Sequence, residues 1–349
     1  PEKWTNEDVI SRHQGLLGNI DQELNIGRAV SLIGEDRVKE LMWFHPKDPD
    51  IRLDNDLTYE DLKHDILRLY NAYREPIEFK KHYILDKYQS EDDITLSKSN
   101  IHINDEYSIG SNNWAISGNK SFNGFPLLAN DPHRSLSNPS LRYMAHLVAP
   151  GWNVIGGGEP EIPGISIGHN GVGAWGLTVF RTDAEDLYVY DLNPNNYLQY
   201  MHKGKWRNFK IVNESIAVKD KDNVNVELFY SVHGPVTFID EKRNKAYAVK
   251  NAWSEVGGSP YLASLRMDQA KNWEEYRKAS NYFNIPGENM VWADKYGDIG
   301  WQAVGIAPIR KTHSGLVPVS GNGNFEWEDY IEIIEKPNLF NPEKGYIAT

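Results

Sequence analysis

The sequence predicts an α+β protein in which helices come first and strands follow. Up to about residue 85, apolar residues recur at helical spacing behind N-cap signals; from Ser111 onward, short aromatic and β-branched runs alternate with Asn, Asp and Gly turns. Size is the third observation: 349 residues exceed the usual extent of a single core, so one large domain or a domain with an appended part is expected.

The helical part runs over residues 1–85. Thr5-Asn6-Glu7-Asp8 and Thr58-Tyr59-Glu60-Asp61 each set a capping oxygen three residues before an acid, which marks a helix start. After the second, Leu62, Ile66, Leu69, Tyr70 and Tyr73 share one helical face until Pro76. Between the two caps, Ala29, Leu32, Ile33, Val38, Leu41 and Met42 predict a helix or helix pair that ends by Pro46. Residues 86–110 are polar and weakly periodic, as in Ser90-Glu91-Asp92-Asp93 and Ser97-Lys98-Ser99-Asn100. They read as an exposed connector or removable spacer, with an ordinary loop as the alternative.

Residues 111–349 are β-rich. The predicted strands include Trp114-Ala115-Ile116, Leu127-Leu128-Ala129, 174–179, 187–190, 224–229 and 246–249. A helix is expected from Trp273, and a hairpin turning at Lys295-Tyr296-Gly297. Gly156-Gly157-Gly158 has neither a following Lys-Ser/Thr nor a G-x-G-x-x-G frame, so it is read as a turn and not a phosphate cradle.

Composition removes several classes of function. The chain is 40% hydrophobic and 25% charged, a globular balance, and its net charge of −12 argues against a nucleic-acid or anionic-membrane surface. It has no cysteine, which excludes thiolate catalysis, Cys-based zinc sites and disulfides. No apolar run approaches membrane-spanning length, and no signal peptide is evident. Because the chain opens on Pro1 and stops at Thr349 without a closing element, it is expected to be an internal piece of a longer precursor.

One stretch organises the chemistry: Gly110-Ser111-Asn112-Asn113-Trp114. Serine is a weak nucleophile until a base takes its proton. No G-x-S-x-G elbow surrounds Ser111, and Asp131-Pro132-His133 offers a carboxylate and an imidazole as near neighbours, which seldom align as a triad. The third arrangement is a terminus freed by cleavage between Gly110 and Ser111, whose amine, with a reference pKa of roughly 7.7 to 8.0, is the base. An exposed serine at a strand start is the plain alternative. Asn289, just before an apolar strand, is placed to donate to a developing oxyanion, although a turn asparagine reads the same way.

Together, Gly110-Ser111-Asn112-Asn113-Trp114, Leu128-Ala129-Asn130-Asp131-Pro132-His133, Gly168-His169-Asn170-Gly171 with Ala174-Trp175-Gly176, His233-Gly234-Pro235-Val236 and Ala293-Asp294 with Gly297-Asp298-Ile299-Gly300 resemble the penicillin acylase family of N-terminal-nucleophile hydrolases. The likeness runs from near Trp4 to the end. It implies a four-layer αββα sandwich and a precursor cut by its own serine. It also implies an α chain ending before a spacer, a β chain beginning at Ser111, and a periplasmic or secreted location. By the same resemblance, Ser111 matches the nucleophile and amine base, and Val179 and Asn289 the backbone and side-chain oxyanion donors. His133 falls where some members carry histidine and others glutamine, and Arg310 matches a supporting arginine. The acyl pocket would include Leu16, Leu17 and Leu177.

The resemblance implies one structural Ca2+ and no organic cofactor. Asp183-Ala184-Glu185-Asp186 gives three acids in four positions, which alone reads as a solvated turn. In the family a D-x-x-D here joins a glutamate of the α chain, which aligns with Glu23, while Glu185 adds only its carbonyl. His146, His169 and His233 lack paired-ligand spacing and read as structural histidines. The function implied is hydrolysis of a small N-acyl amide, a β-lactam or an N-acyl homoserine lactone. The partners are the α and β chains of one precursor, without nucleic acid or membrane. The rivals are a lipopeptide or cephalosporin acylase with the same machinery, and a non-catalytic aromatic-rich binding protein on the same fold.

Overall fold

The computed structural model describes residues 3, 5, 18–72, 87, 110–133, 140–160, 162–256, 258 and 261–349. The first cap, from Thr5, therefore lies almost wholly outside the described residues, as do Tyr73, Pro76 and nearly all of the expected spacer. Strand accounts for 39% of the described residues against 18% helix, so sheets frame the molecule.

The helical part contains α1 (Ile20–Ile33), α2 (Glu35–Leu41), α3 (Tyr59–Leu62) and α4 (Arg68–Ala72). Gly34, with φ of 79°, turns the chain between the first two. On α1 the buried residues are Ile20, Glu23, Leu24, Ile26, Gly27 and Val30, while Leu32 and Ile33 are exposed, so a charged residue lies among the inward ones. At the second cap the Asp61 carboxylate accepts from Thr58 N–H at 2.9 Å and from its hydroxyl at 2.7 Å.

The single helix expected after Thr58 is instead two short ones. The Arg28 guanidinium takes the carbonyls of Leu62 and His64, both at 2.7 Å, and Ile66 N–H turns to His64 O. The Leu62 carbonyl that would have extended the ladder is occupied. Leu67 consequently goes inside and Leu69 stays exposed.

Eight strands position the site: β1 (Ser111–Ile116), β2 (Leu127–Pro132), β3 (Gly173–Val179), β4 (Glu185–Asn193), β5 (Lys245–Asn251), β6 (Glu288–Asp294), β7 (Ile299–Ala303) and β8 (Tyr346–Ala348). A seven-stranded sheet has β7, β6 and β3 side by side, and an eight-stranded sheet has β4 and β5 at its centre. A three-stranded sheet holds β1 between β2 and β8. As the sequence predicts, β6 and β7 form a hairpin, with Gly297 at φ 112° in its turn.

Helices cover one face of each large sheet. α1, α3, α4 and the link between the last two pack Leu24, Leu62, Tyr70 and Ile66 against Leu187, Val189, Tyr247 and Val249. Beneath the other sheet, α5 (Ser264–Met267) and α6 (Trp273–Ser280) bury Tyr276 against Trp175 and Trp292, whose stacked rings lie 6.3 Å apart. Ala115 and Ile347 of the small sheet meet Val291, Ala293 and Ile299 of the seven-stranded one. Among the described residues no helix is long and apolar enough to cross a membrane.

The triglycine reading is corrected. Gly156–Gly158 belongs to a strand, Trp152–Gly158, because the neighbouring strand passes too close for side chains. A Cβ on Gly156 would sit 2.0 Å from Ile167 O.

Asp268 is a buried carboxylate whose oxygens accept from Ile165 N–H at 3.1 and 3.3 Å. Burial pushes it from 3.8 up to about 7, against that hydrogen bond. The folded state therefore holds this proton more tightly than the unfolded chain, and the associated stability is lost as pH rises from about 4 to about 7. Asp268→Asn is expected to flatten the decline of Tm across that window in thermal melts at stepped pH; an unchanged slope contradicts this.

Candidate active site

Ser111 opens β1, and β2 runs antiparallel to it with Ser111 opposite Pro132. The pairing extends one step further, because His133 N–H donates to Gly110 O at 3.1 Å. The imidazole accordingly flanks the 110–111 peptide: Nδ1 lies 3.5 Å from where a Gly110 Cβ would be. His133 Nε2 is also 2.9 Å from Asp131 Oδ2 and 3.5 Å from Asn112 Nδ2. This is the carboxylate–imidazole pair that near neighbours in sequence seldom form. It forms because residues two apart on a strand point to the same side. Asp131 is exposed and His133 partly so, hence the pair is open to water.

The small sheet is locked onto β3 at Gly176. A Cβ there would lie 2.7 Å from Asn130 Cβ and 2.8 Å from Asn113 Oδ1. Above this bare backbone, Asn130 Nδ2 donates to Leu177 O at 2.8 Å and to Asn112 O at 3.3 Å. One side chain thus ties the residue after Ser111 to the strand that ends in Val179. Further along, Asn113 exchanges both backbone hydrogen bonds with Thr349, whose hydroxyl is 2.7 Å from that of Thr178.

Asn289 lies opposite Thr178, and Glu288 opposite Val179. Trp301 Nε1–H donates to Asn289 Oδ1 at 2.9 Å. An indole N–H can only donate, so the amide orientation is fixed and Nδ2 faces β3. Nδ2 reaches Thr178 Oγ1 and Val179 O, each at 3.2 Å. Because Phe180 N–H donates to Gly287 O, antiparallel alternation turns Val179 N–H away from β6. On that side of β3 the next strand pairs only through Ala174 and Trp175. A side-chain amide and a backbone N–H thus stand at neighbouring positions of two strands, the amide hydrogens turned to Thr178 Oγ1 and Val179 O. Leu177 puts its side chain into the core with Trp175 and Met290, and its carbonyl accepts from Asn130 of the Ser111 sheet. Leu16 and Leu17 lie outside the described residues.

Arg310 belongs to a second cluster. Its Nε donates to both Asp186 oxygens at 2.9 and 3.1 Å, and Nη2 to Asp183 Oδ1 at 2.9 Å and Glu185 O at 3.2 Å. His313 Nε2, at 2.9 Å, and the Trp327 indole also meet Asp186 Oδ2. Despite its burial, Asp186 is held below the usual carboxylate range by His313 and Arg310. Glu23 Oε1 accepts from Leu187 N–H at 3.0 Å, and burial, reinforced by Asp186, pushes its carboxyl well above the ordinary range. The Glu185 carboxylate accepts from Tyr70 Oη at 2.6 Å and Asn19 N–H at 3.2 Å, which pins the helical part to β4.

The four acids predicted to hold a cation are therefore together, with Arg310 among them. Their donor chemistry fits a hard cation, because Glu23 Oε2 and Asn19 Oδ1 are buried and lack partners among the described residues. Sequence reasoning missed Asn130, Trp301, Asn19 and His313 as organisers. Asn130 alone carried a signal, an amide directly after the predicted strand Leu127-Leu128-Ala129.

Helices outside two sheets, with the Ser111 strand packed on the sheet of β3 and β6, define the αββα fold class of the N-terminal-nucleophile hydrolases. A solved structure, the thermostable penicillin G acylase from Alcaligenes faecalis, superposes with a TM-score of 0.64 at 30% identity, over 68% of this chain and 43% of that one. The chain belongs to the penicillin amidase family, whose model matches residues 1–349. Among its relatives, penicillin G acylase of Escherichia coli is 31% identical over 69% of this chain and 29% of the relative. Acyl-homoserine lactone acylase QuiP of Pseudomonas aeruginosa is 30% identical over 68% of this chain and 30% of the relative. The chain thus spans less than a third of the length of either relative.

Gly176→Ala should force apart the two surfaces that seat β1. A loss of about 1–3 kcal/mol in urea unfolding is expected from the overpacking. Wild-type stability in this variant would show that the contact does not constrain the sheet.

Proposed function

We propose that this chain carries the catalytic centre of an amide hydrolase that removes an acyl group from a small N-acyl compound. Ser111 is the nucleophile once the Gly110–Ser111 bond has been cut. Its α-amine takes the hydroxyl proton as Oγ adds to the substrate amide carbon, and returns that proton to the leaving nitrogen. Water, deprotonated by the same amine, then releases the acyl group from the Ser111 ester. Val179 N–H and Asn289 Nδ2 receive the developing oxyanion, and His133 steadies the amine and the leaving group. The observation that carries this reading is the Trp301–Asn289 bond of 2.9 Å, which commits the amide to the donor role next to Val179.

For substrate, the names of the relatives support β-lactams or N-acyl homoserine lactones. The same reading includes autocatalytic maturation into α and β chains and a periplasmic or secreted location. The test uses the full-length protein. Terminal sequencing should find a chain beginning at Ser111, a sulfonyl fluoride should label that residue, and Ser111→Ala should be uncut and inactive on a panel of N-acyl lactones and β-lactams. Asn289→Ala should lower kcat by about 10²–10³-fold. An uncut, unlabelled wild-type chain refutes the reading.

One structural Ca2+ completes it, held by Glu23, Asp183, the Glu185 carbonyl and Asp186, with Arg310 sharing the two aspartates. Its chemistry is charge compensation between the helical and β-rich parts. Ca2+ added to chelator-treated full-length protein should raise Tm, and Glu23→Gln should abolish the rise. An unaltered wild-type Tm overturns the assignment.

A further inference from the structure

Away from the serine, three side chains distant in sequence converge at one end of the eight-stranded sheet. His202 closes the strand Asn196–His202, His233 sits in the tight turn between Val224–Ser231 and Gly234–Asp240, and Glu326 precedes Trp327–Tyr330. Among the described residues, theirs is the one grouping of three such side chains whose ligand atoms all lie within 4.8 Å of one another. Both histidines are buried, and the glutamate is partly so.

The protons in this cluster follow from its hydrogen bonds. His202 Nδ1 is 2.9 Å from Gly321 O, and a carbonyl only accepts, so Nδ1 carries the hydrogen and the Nε2 of the neutral ring is a bare lone pair. For His233 the same result comes through a relay. Ser231 Oγ donates to Gly234 O at 3.2 Å, and Tyr190 Oη donates its single proton to Ser231 Oγ at 3.1 Å. Tyr190 Oη can then only accept from His233 Nδ1–H, its other close partner. His233 Nε2 is therefore also unprotonated in the neutral ring. It faces Glu326 Oε2 at 3.0 Å, while His202 Nε2 faces Glu326 Oε1 at 3.7 Å.

Two imidazole lone pairs and a carboxylate thus confront one another, an arrangement of acceptors without a donor between them. Glu326 Oε1 has no hydrogen-bond partner among the described residues and is itself shielded from water. Lys203 Nζ, the nearby ammonium, stands 3.7 Å from it on a side chain that is mostly exposed. The pattern is the one a metal site shows, with each ligating histidine giving its second N–H to an oxygen that fixes the tautomer.

We propose that His202, His233 and Glu326 bind a first-row divalent transition ion of the Zn2+ class, a site separate from the serine centre and from the Glu23 cluster. Two imidazoles and a carboxylate suit such an ion and leave a further position for water. The ion's place is structural as much as chemical. It would fasten the 321–327 segment to the sheet, alongside the Tyr188 Oη–Phe325 O bond of 2.7 Å.

The full-length protein, stripped with chelator, is titrated with Zn2+ and separately with Co2+. One equivalent of Zn2+ should bind and raise Tm, and Co2+ should give visible bands of a four- or five-coordinate site. His202→Ala and Glu326→Gln should each lose the bands, Tyr190→Phe should weaken binding by about 10-fold, and Asp183→Asn should leave it unchanged. Glu326→Gln, on a partly exposed side chain, keeps the test decisive should the histidine variants misfold. Absence of the Co2+ bands in wild-type protein, or bands retained in Glu326→Gln, overturns the proposal and leaves a proton shared between His233 and Glu326 as the occupant.

Discussion

Everything about the serine centre depends on how closely two sheets approach at Gly176. Only hydrogen at that α-carbon lets Asn113 and Asn130 lie against β3. Once they do, the Asn130 amide can bridge Leu177 O and Asn112 O, so Ser111 is referred to the frame that carries Val179. The arrangement is rigid because its fixing bonds are made to backbone, with no long mobile side chain between. Its cost is polar: both side-chain atoms of Asn113 and the Oδ1 of Asn130 are buried without a partner among the described residues. Each such group costs about 1–3 kcal/mol. A sheet that tolerates this is held by other contacts, namely the packing of Ala115 and Ile347 on Val291 and Ile299 and the Thr349 backbone pair.

The donor pair proposed for the oxyanion has a comparable logic. An amide side chain can be turned either way at little cost, and one oriented oxygen-first beside Val179 would repel negative charge. Trp301 removes that freedom, since its N–H has no acceptor capacity. It lies on β7, and Asn289 on β6, so the hairpin that brings them together also sets the polarity of the site. Position and orientation are thus supplied by different strands.

Much of this architecture is legible in the sequence, for reasons that vary from element to element. The β6–β7 hairpin is written locally, in two apolar runs around a Gly turn, and so is the second helix start, where Thr58 and Asp61 need only each other. The division of the next helix is not local. It depends on Arg28, a residue 34 positions away from the Leu62 carbonyl it captures. The triglycine strand reads as a turn because glycine signals both flexibility and close approach, and only the neighbouring strand decides between them. Trp301, twelve residues from Asn289, looks like any aromatic of a buried strand, and nothing in its vicinity marks it as the group that orients an amide. His202 and Glu326 are separated by 124 positions, from 202 to 326, and the relay that sets the His233 tautomer passes through Tyr190 on another strand.

The segment that ends in Trp327 joins the two polar clusters outside the serine centre. Adjacent residues in extended chain point to opposite sides, so Glu326 turns to the histidines while Trp327 turns to Asp186. Asp186 also holds Arg310 and His313, and its neighbour Glu185 holds Asn19 and Tyr70 of the helical part. The helical part is thus joined to the β-rich part through polar contacts on this stretch of β4, through Glu60 and Asp61 meeting Arg243 and Tyr247, and through the apolar packing of α1, α3 and α4. A connection of this kind is strong while its charges are balanced and weak when they are not. The Glu23 and Asp186 carboxylates, both buried, are the part of that docking that depends on charge balance.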